Sequence, residues 1–121
     1  MAFSLSAALD PDAIAAQFGE HGYASIPGIL PGEQAKRLHK AISSFTDWNL
    51  VFSDRGRHID LAATQLHSLS PQKRTDLQNA IYAQARNDFQ YLYNNYPIFD
   101  AHRQGRNVDH VLHKFYEWLD T

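Results

Sequence analysis

The chain has 121 residues, of which 44% are hydrophobic and 20% are charged, and its formal net charge is −2 with histidine neutral. This length suits one domain, residues 1–121, and a slightly acidic chain has no basic surplus for binding nucleic acid. The absence of cysteine excludes disulfides and thiolate metal sites. The opening residues MAFSLSAALD lack the pattern of a signal peptide, and no run reaches the roughly 18 apolar residues of a membrane span, so we expect a cytoplasmic protein without membrane contact.

The first third of the sequence predicts two helices joined by an extended segment. Asp10 is a favourable N-cap, Pro11 suits the first helical position, and Gly22 can end the helix. Residues 23–30, YASIPGIL, predict a short strand that ends in a Pro-Gly turn and is available to join a larger sheet. A second helix follows, and its apolar residues with helical spacing are Leu38, Ala41, Ile42 and Phe45.

Residues 48–62, WNLVFSDRGRHIDLA, change from helical spacing to alternation. Apolar and polar residues alternate on both sides of an Asp-Arg-Gly turn, which predicts a β-hairpin with one apolar face. On its second strand, Ile59 and Leu61 are expected to be buried, whereas His58 and Asp60 are expected to be exposed on the opposite face.

Two further helices are predicted in the remainder of the chain. The first begins with Ser70 as its cap and is stopped by Pro97, and its apolar stripe comprises Leu77, Ile81, Ala85, Phe89, Leu92 and Tyr96. The second has Asn107 as its cap, and its apolar stripe comprises Val108, Val111, Leu112, Phe115 and Leu119. The predicted fold class is therefore α+β, with about four helices packed around a short hairpin.

The sequence His58-Ile59-Asp60 contains the His-x-Asp pair that begins the iron-binding triad of many non-haem oxygenases. Such a triad also needs a distal histidine and a concave site, usually inside a barrel of strands. The residues after the hairpin are mostly one predicted helix and do not supply such strands. Because both side chains point away from the apolar face of the hairpin, we interpret them as a solvated polar face.

A second group of possible metal ligands lies on the last predicted helix. His110, His113 and Glu117 are spaced by three and four residues, so they share one side of the helix and could form half of a metal site. That side is opposite the apolar stripe, which predicts a solvent-facing surface instead. We therefore expect no metal site in this chain, with His58, Asp60, His110 and His113 as the candidates if one exists.

The region around residue 93 is dense in aromatic residues, namely Phe89, Tyr91, Tyr93, Tyr96 and Phe99. Stacking on nucleic-acid bases or sugars is one interpretation, but packing is favoured in a chain with net negative charge. Tyr91 and Tyr93 point in different directions from the main stripe, so one of them is expected to pack against a group outside this chain.

Two stretches carry a resemblance to a known family. Residues 18–42, FGEHGYASIPGILPGEQAKRLHKAI, resemble the N-terminal entry of the prolyl 4-hydroxylase-like 2-oxoglutarate/Fe(II) oxygenases, with a helix, a Gly-Tyr step, a short strand and a long helix in that order. Residues 89–105, FQYLYNNYPIFDAHRQG, followed by DHVLHKFYEWLD, resemble a bacterial subgroup of these enzymes, in which they lead into the catalytic double-stranded β-helix. The resemblance covers the chain from about Asp12 onward.

This resemblance implies a parent enzyme that hydroxylates its substrate with O₂, Fe(II) and 2-oxoglutarate, and releases succinate and CO₂. In the family, the iron-binding His-x-Asp lies on a barrel strand beyond the region matched here, so the resemblance gives no iron role to His58 or Asp60. The distal histidine and the basic 2-oxoglutarate anchor have no counterpart in this chain. The chain also ends inside a predicted amphipathic helix, with Leu119 two residues from the last residue of the sequence. We therefore expect an inactive N-terminal segment of a longer oxygenase, with no cofactor of its own.

The expected partner of such a segment is the missing catalytic barrel of the same protein. Surfaces around Tyr82, Tyr93, Phe115 and Leu119 would be bare without the barrel and could support a homodimer. The alternative is a self-contained small helical module without catalysis, which presents Tyr91 and Tyr93, or Trp118, to a protein partner.

Overall fold

The computed structural model describes residues 2–121 and divides into two compact units. One unit comprises the chain up to Ser44 together with Ile98–Thr121, and the other is Phe45–Pro97. The elements in chain order are α1 (Pro11–His21), α2 (Gly32–Ser44), β1 (Asn49–Asp54), β2 (Arg57–Leu61), α3 (Ala63–Ser68), α4 (Pro71–Asn87), β3 (Leu92–Asn95), α5 (Ile98–Arg103) and α6 (Val111–Leu119).

The α+β class is confirmed, but residues 2–121 form six helices instead of about four. The sequence interpretation missed α3 and α5, each of which has six residues. Helices this short contain too few turns to produce a periodic apolar stripe. None of the described helices has the length and apolar character needed to cross a membrane.

Helix α1 begins and ends where local chemistry predicts. The Asp10 carboxylate accepts hydrogen bonds from the backbone N–H groups of Asp12 and Ala13, at 3.1 and 3.2 Å. Gly22 adopts the left-handed conformation with φ of 76°, and its N–H donates to the carbonyl of Phe18 at 2.8 Å. Both ends of the helix are therefore set by residues within a few positions along the chain.

The strand predicted for residues 23–30 is wrong. These residues are irregular, with a turn at Pro27-Gly28, where Gly28 has φ of 68°. The carbonyl of Ile29 accepts a hydrogen bond from the N–H of Ser6 at 2.8 Å. A strand requires a neighbouring strand, and all three described strands belong to the other unit.

Phe3 lies at the centre of the packing in the first unit. It is 5% exposed, its ring centroid lies 5.1 Å from that of Phe115 in an edge-to-face arrangement, and the guanidinium of Arg37 lies 5.2 Å from the ring centroid. Next to it, the Gln34 side chain accepts from the N–H of Ser4 at 2.8 Å and donates to the Ser4 hydroxyl at 3.0 Å. These contacts fix the N-terminal segment against α2 and α6.

The predicted hairpin is confirmed in the second unit. Strands β1 and β2 pair antiparallel, with Leu50 opposite Leu61 and Phe52 opposite Ile59. The turn residues Arg55 and Gly56 have φ of 53° and 78°, and two consecutive positive φ values are typical of a type I′ turn. The alternation along β2 has the predicted phase, with His58 and Asp60 exposed, but Ile59 and Leu61 are half-buried and not fully buried.

The helix predicted to continue to Pro97 ends ten residues earlier, at Asn87. Asp88 has extended backbone angles, φ −159° and ψ 176°, and four of the residues that follow form strand β3. Strand β3 pairs antiparallel with β1, giving the sheet order β2-β1-β3, with Leu92 opposite Phe52 and Tyr93 opposite Val51. The apolar spacing of Phe89, Leu92 and Tyr96 fits a helix equally well, so pairing with a distant strand decided the conformation.

Two glutamine side chains tie this new strand and α4 to the end of β1. The Gln90 amide accepts from the N–H of Ser53 and donates to its carbonyl, both at 2.8 Å. The Gln84 amide accepts from the N–H of Arg55 at 2.7 Å and donates to the Ser53 hydroxyl at 3.1 Å. We call these four hydrogen bonds the glutamine clamp. They satisfy the backbone of a residue that is only 8% exposed.

The start of the last helix also differs from the prediction. Asn107 lies in the preceding turn with φ of 57°, and His110 is the N-cap, because its Nδ1 accepts from the N–H of Leu112 at 3.2 Å. The buried residues of α6 are Leu112 and His113, whereas Leu119, predicted to belong to the apolar stripe, is 61% exposed. Leu112 of the predicted stripe is therefore buried as expected, while Leu119 is not, and the buried side of the helix also includes His113.

The glutamine clamp predicts a specific loss of stability. Replacing Gln90 by alanine leaves the buried N–H and carbonyl of Ser53 without these hydrogen bonds, so the free energy of unfolding should fall by about 1–3 kcal/mol. Urea denaturation followed by circular dichroism measures this change. The control is Gln72→Ala on the exposed side of α4, where the loss should stay within about 0.5 kcal/mol. Equal losses for the two variants would contradict this role of Gln90.

Candidate functional site

The two residues of the His-x-Asp sequence lie on one face of β2, and both are exposed. The Nδ1 atom of His58 lies 2.9 Å from the hydroxyl of Tyr91, and the two ring centroids are 5.7 Å apart. Among residues 2–121, no group of three His, Cys, Asp or Glu side chains is arranged to hold a metal ion. Within these described residues, no third such side chain therefore stands beside His58 and Asp60 to complete a facial triad.

The prediction that His110, His113 and Glu117 share a solvent-facing side of the last helix is wrong. His113 is fully buried. His110 caps the helix with its Nδ1 atom, and the exposed carboxylate of Glu117 lies 3.7 Å from the Nζ atom of Lys114. The three residues therefore do not form one solvent-facing surface.

The structure instead pairs His113 with His102, a residue that the sequence interpretation did not single out. Their Nδ1 atoms are 3.3 Å apart, and their rings are stacked with centroids 5.5 Å apart and an interplanar angle of 28°. The ring of Tyr116 packs edge-on against His102, with a centroid distance of 5.1 Å. Helical spacing on α6 carried no information about α5, which brings His102 to this position.

Electrostatics favour the neutral form of His113. Burial lowers its pKa from 6.5, and the nearby His102, His110 and Arg106 act in the same direction, while Glu117 opposes them. One Nδ1 atom of the histidine pair must accept a hydrogen bond from the other, so at least one of the two rings is neutral. Protonation of both rings would therefore break this hydrogen bond.

Four aromatic side chains lie in a row on one face of the sheet, and the row extends past the N-terminal end of β3. We call His58, Phe89, Tyr91 and Tyr93 the aromatic row. The ring centroids of Phe89 and Tyr91 are 6.1 Å apart, and those of Tyr91 and Tyr93 are 6.3 Å apart. Phe89 is 77% exposed and Tyr93 is 48% exposed. The density of aromatic residues in the sequence had indicated this segment, although as part of a helix.

The opposite face of the same sheet borders a groove of about 260 Å³. Leu92 reaches it because successive side chains of a strand point to opposite faces, so it lies on the other side of β3 from Tyr93. Leu92 and Tyr82 remain 46% and 47% exposed. The groove is mainly apolar with two polar side chains, and its lining residues are Leu50, Leu66, Arg74, Leu77, Gln78, Ile81, Tyr82 and Leu92. We call this cavity the β3 groove.

Of the four residues expected to form bare apolar surfaces, three are exposed: Tyr82, Tyr93 and Leu119. The fourth, Phe115, is half-buried against Phe3. In the second unit, exposed apolar groups therefore lie on both faces of β3, in the aromatic row and at the rim of the β3 groove. This strand, with its two flanking surfaces, is the candidate functional site.

The neutral His113 predicts how stability depends on pH. Because its pKa is lowered in the folded chain, the unfolded chain binds more protons as the pH falls through 6.5. The free energy of unfolding should therefore fall as the pH decreases from about 7.5 to about 5.5, and the stabilisation should be fully present above the unfolded pKa. Urea melts across this range should show a weaker pH dependence for His113→Gln, whereas the exposed His39→Gln should retain the original one. An unchanged pH dependence in His113→Gln would refute the prediction.

Comparison with known proteins gives no further assignment of the site. No protein-family model, no curated protein and no solved structure matches the chain.

Proposed function

We propose that this chain is the N-terminal support region of a bacterial, cytoplasmic 2-oxoglutarate/Fe(II)-dependent hydroxylase of the prolyl 4-hydroxylase type, and that it contributes no catalytic residue itself. The observation that carries the proposal is the order α1, Gly22-Tyr23, Pro-Gly turn and α2. Gly22 ends α1 in a left-handed conformation that favours glycine, and the same Gly-Tyr step belongs to the resemblance. The irregular backbone of residues 23–30 is the point at which the chain departs from the family pattern.

The surroundings of the His-x-Asp residues are consistent with a support role. The Tyr91 hydroxyl lies within hydrogen-bond distance of His58, and among residues 2–121 no third His, Cys, Asp or Glu joins His58 and Asp60 in a metal-binding group. By the resemblance, Fe(II) and 2-oxoglutarate belong to a double-stranded β-helix formed by other residues of the parent enzyme. When bound there, they supply the oxidising chemistry that hydroxylates the substrate.

The second unit offers a surface on which such a barrel could rest. Helix α4 and the sheet enclose an apolar interior that includes Ile81 and Phe52, which are 5% and 6% exposed. The exposed aromatic row and β3 groove flank the outer strand of this sheet. In the proposed role, the barrel of the same protein covers part of this surface, and burial of apolar area stabilises the contact.

The same surface favours a second candidate function, a self-contained protein-interaction module. Exposed aromatic residues beside a strand are common in protein-binding surfaces. The gene distinguishes the two functions. A reading frame that continues past codon 121 into a strand-rich segment with a second His-x-Asp and a distal histidine would support the oxygenase. A stop codon at that point would support the module.

The support role predicts that this polypeptide alone does not turn over 2-oxoglutarate. Succinate formation should be measured with Fe(II), 2-oxoglutarate and ascorbate under air, against a blank that contains iron without protein. We expect the rate to equal that of the blank and to be the same for the chain, for His58→Ala and for the control His39→Ala. Turnover well above the blank that is lost only in His58→Ala would overturn the proposal and make His58 an iron-ligand candidate.

A further inference from the structure

The glutamine clamp reveals which backbone groups of β3 face outward. Ser53 directs its N–H and carbonyl towards Gln90, on the β3 side of β1. In antiparallel sheets, alternate residues direct these groups to opposite neighbours, so Val51 also faces β3 and its partner Tyr93 faces β1. The residues on either side, Leu92 and Asn94, therefore direct their N–H and carbonyl groups to the outer edge of the sheet.

The two outer edges of the sheet differ in charge. Strand β2 carries Arg57 and Asp60, and charged side chains on an edge strand discourage the pairing of a further strand. Residues 90–96, QYLYNNY, contain no charged residue and no proline. Strand β3 therefore lacks the charged side chains and the proline that discourage pairing at an edge.

The β3 groove lies beside this edge and is suited to the side chains of an added strand. Such a strand would place every second side chain on the face that carries Leu92, next to the apolar residues of α4. The positive charge at the groove comes from Arg74, whose guanidinium also donates to the carbonyl of His67 at 3.1 Å. An acidic side chain in the added strand would form a charge-assisted hydrogen bond there.

We propose that the edge of β3 binds an extended peptide segment of a partner protein by β-strand addition. The partner segment carries an apolar side chain that enters the β3 groove and a carboxylate that pairs with Arg74, and its pairing residues are otherwise uncharged. Main-chain hydrogen bonds to Leu92 and Asn94 supply affinity, and the groove supplies specificity. This inference goes beyond the proposed oxygenase role, because it depends only on β3 and the elements that flank it.

The first test uses fluorescence anisotropy with the full 121-residue chain and a short fluorescein-labelled peptide of alternating threonine and leucine that contains one glutamate. Asn94→Pro removes an outward N–H but none of the hydrogen bonds between β1 and β3, and it should weaken binding by about tenfold or more. The matched control is Asp60→Pro, which alters an outward position on the opposite edge and should change the affinity by less than about twofold.

The charge on the groove is tested separately. Arg74→Glu should weaken binding of the same peptide by about tenfold, and a peptide with lysine in place of glutamate should recover affinity for this variant. Lys73→Glu is the control, because Lys73 is exposed and does not line the groove.

Amide hydrogen exchange of the unmodified chain provides a readout without any substitution. The peptide should protect the N–H groups of Leu92 and Asn94 and leave that of Asp60 unprotected.

Two results would overturn the proposal. The first is equal peptide affinity in Asn94→Pro and Asp60→Pro, together with unprotected amides at Leu92 and Asn94. The second is a dimer of the chain alone that Asn94→Pro dissociates in sedimentation experiments, with no peptide binding. In that case the occupant of the edge would be a second copy of this chain.

Discussion

The arrangement of the second unit depends on how the backbone of β1 is satisfied. This strand is the middle strand of the sheet, and Val51 and Phe52, which point to opposite faces, are only 1% and 6% exposed. Near the end of β1, Ser53 is buried, and it lies beyond the residues that pair with β3. Its backbone N–H and carbonyl form hydrogen bonds with the Gln90 side chain instead. Unpaired buried backbone groups cost free energy comparable to a lost hydrogen bond. The chain after α4 is therefore held in the position that forms β3.

The register that follows from this constraint determines both surfaces of the candidate site. With Leu92 opposite Phe52, Leu92 faces the groove beside α4, and Tyr93 lies in the aromatic row on the other face. A shift of one residue would exchange these two faces, because side chains alternate along a strand. It would also exchange the backbone groups at the outer edge. The groove, the aromatic row and the binding edge are thus three consequences of one pairing.

The histidines show how strongly the role of a side chain depends on the residues around it. His58 and His113 were both considered as metal ligands, yet one contacts a tyrosine hydroxyl on an exposed sheet face and the other is buried against His102. His110 differs again, since its ring nitrogen caps a helix. Spacing along one element establishes which side chains share a face. It does not establish what packs against that face. Those packing partners determine the protonation state and the chemistry of each histidine.

The sequence by itself determined the features that depend on neighbouring residues: the caps of α1, the turn at Arg55-Gly56 and the start of α4 at Ser70. It also indicated the aromatic residues of the candidate site through Tyr91 and Tyr93. Only the tertiary structure decided the end of α4, the strand β3, the irregular residues 23–30 and the burial of His113. Caps and turns are stabilised by hydrogen bonds within a few residues, whereas these other features require partners distant in sequence, and helical or alternating spacing does not identify those partners.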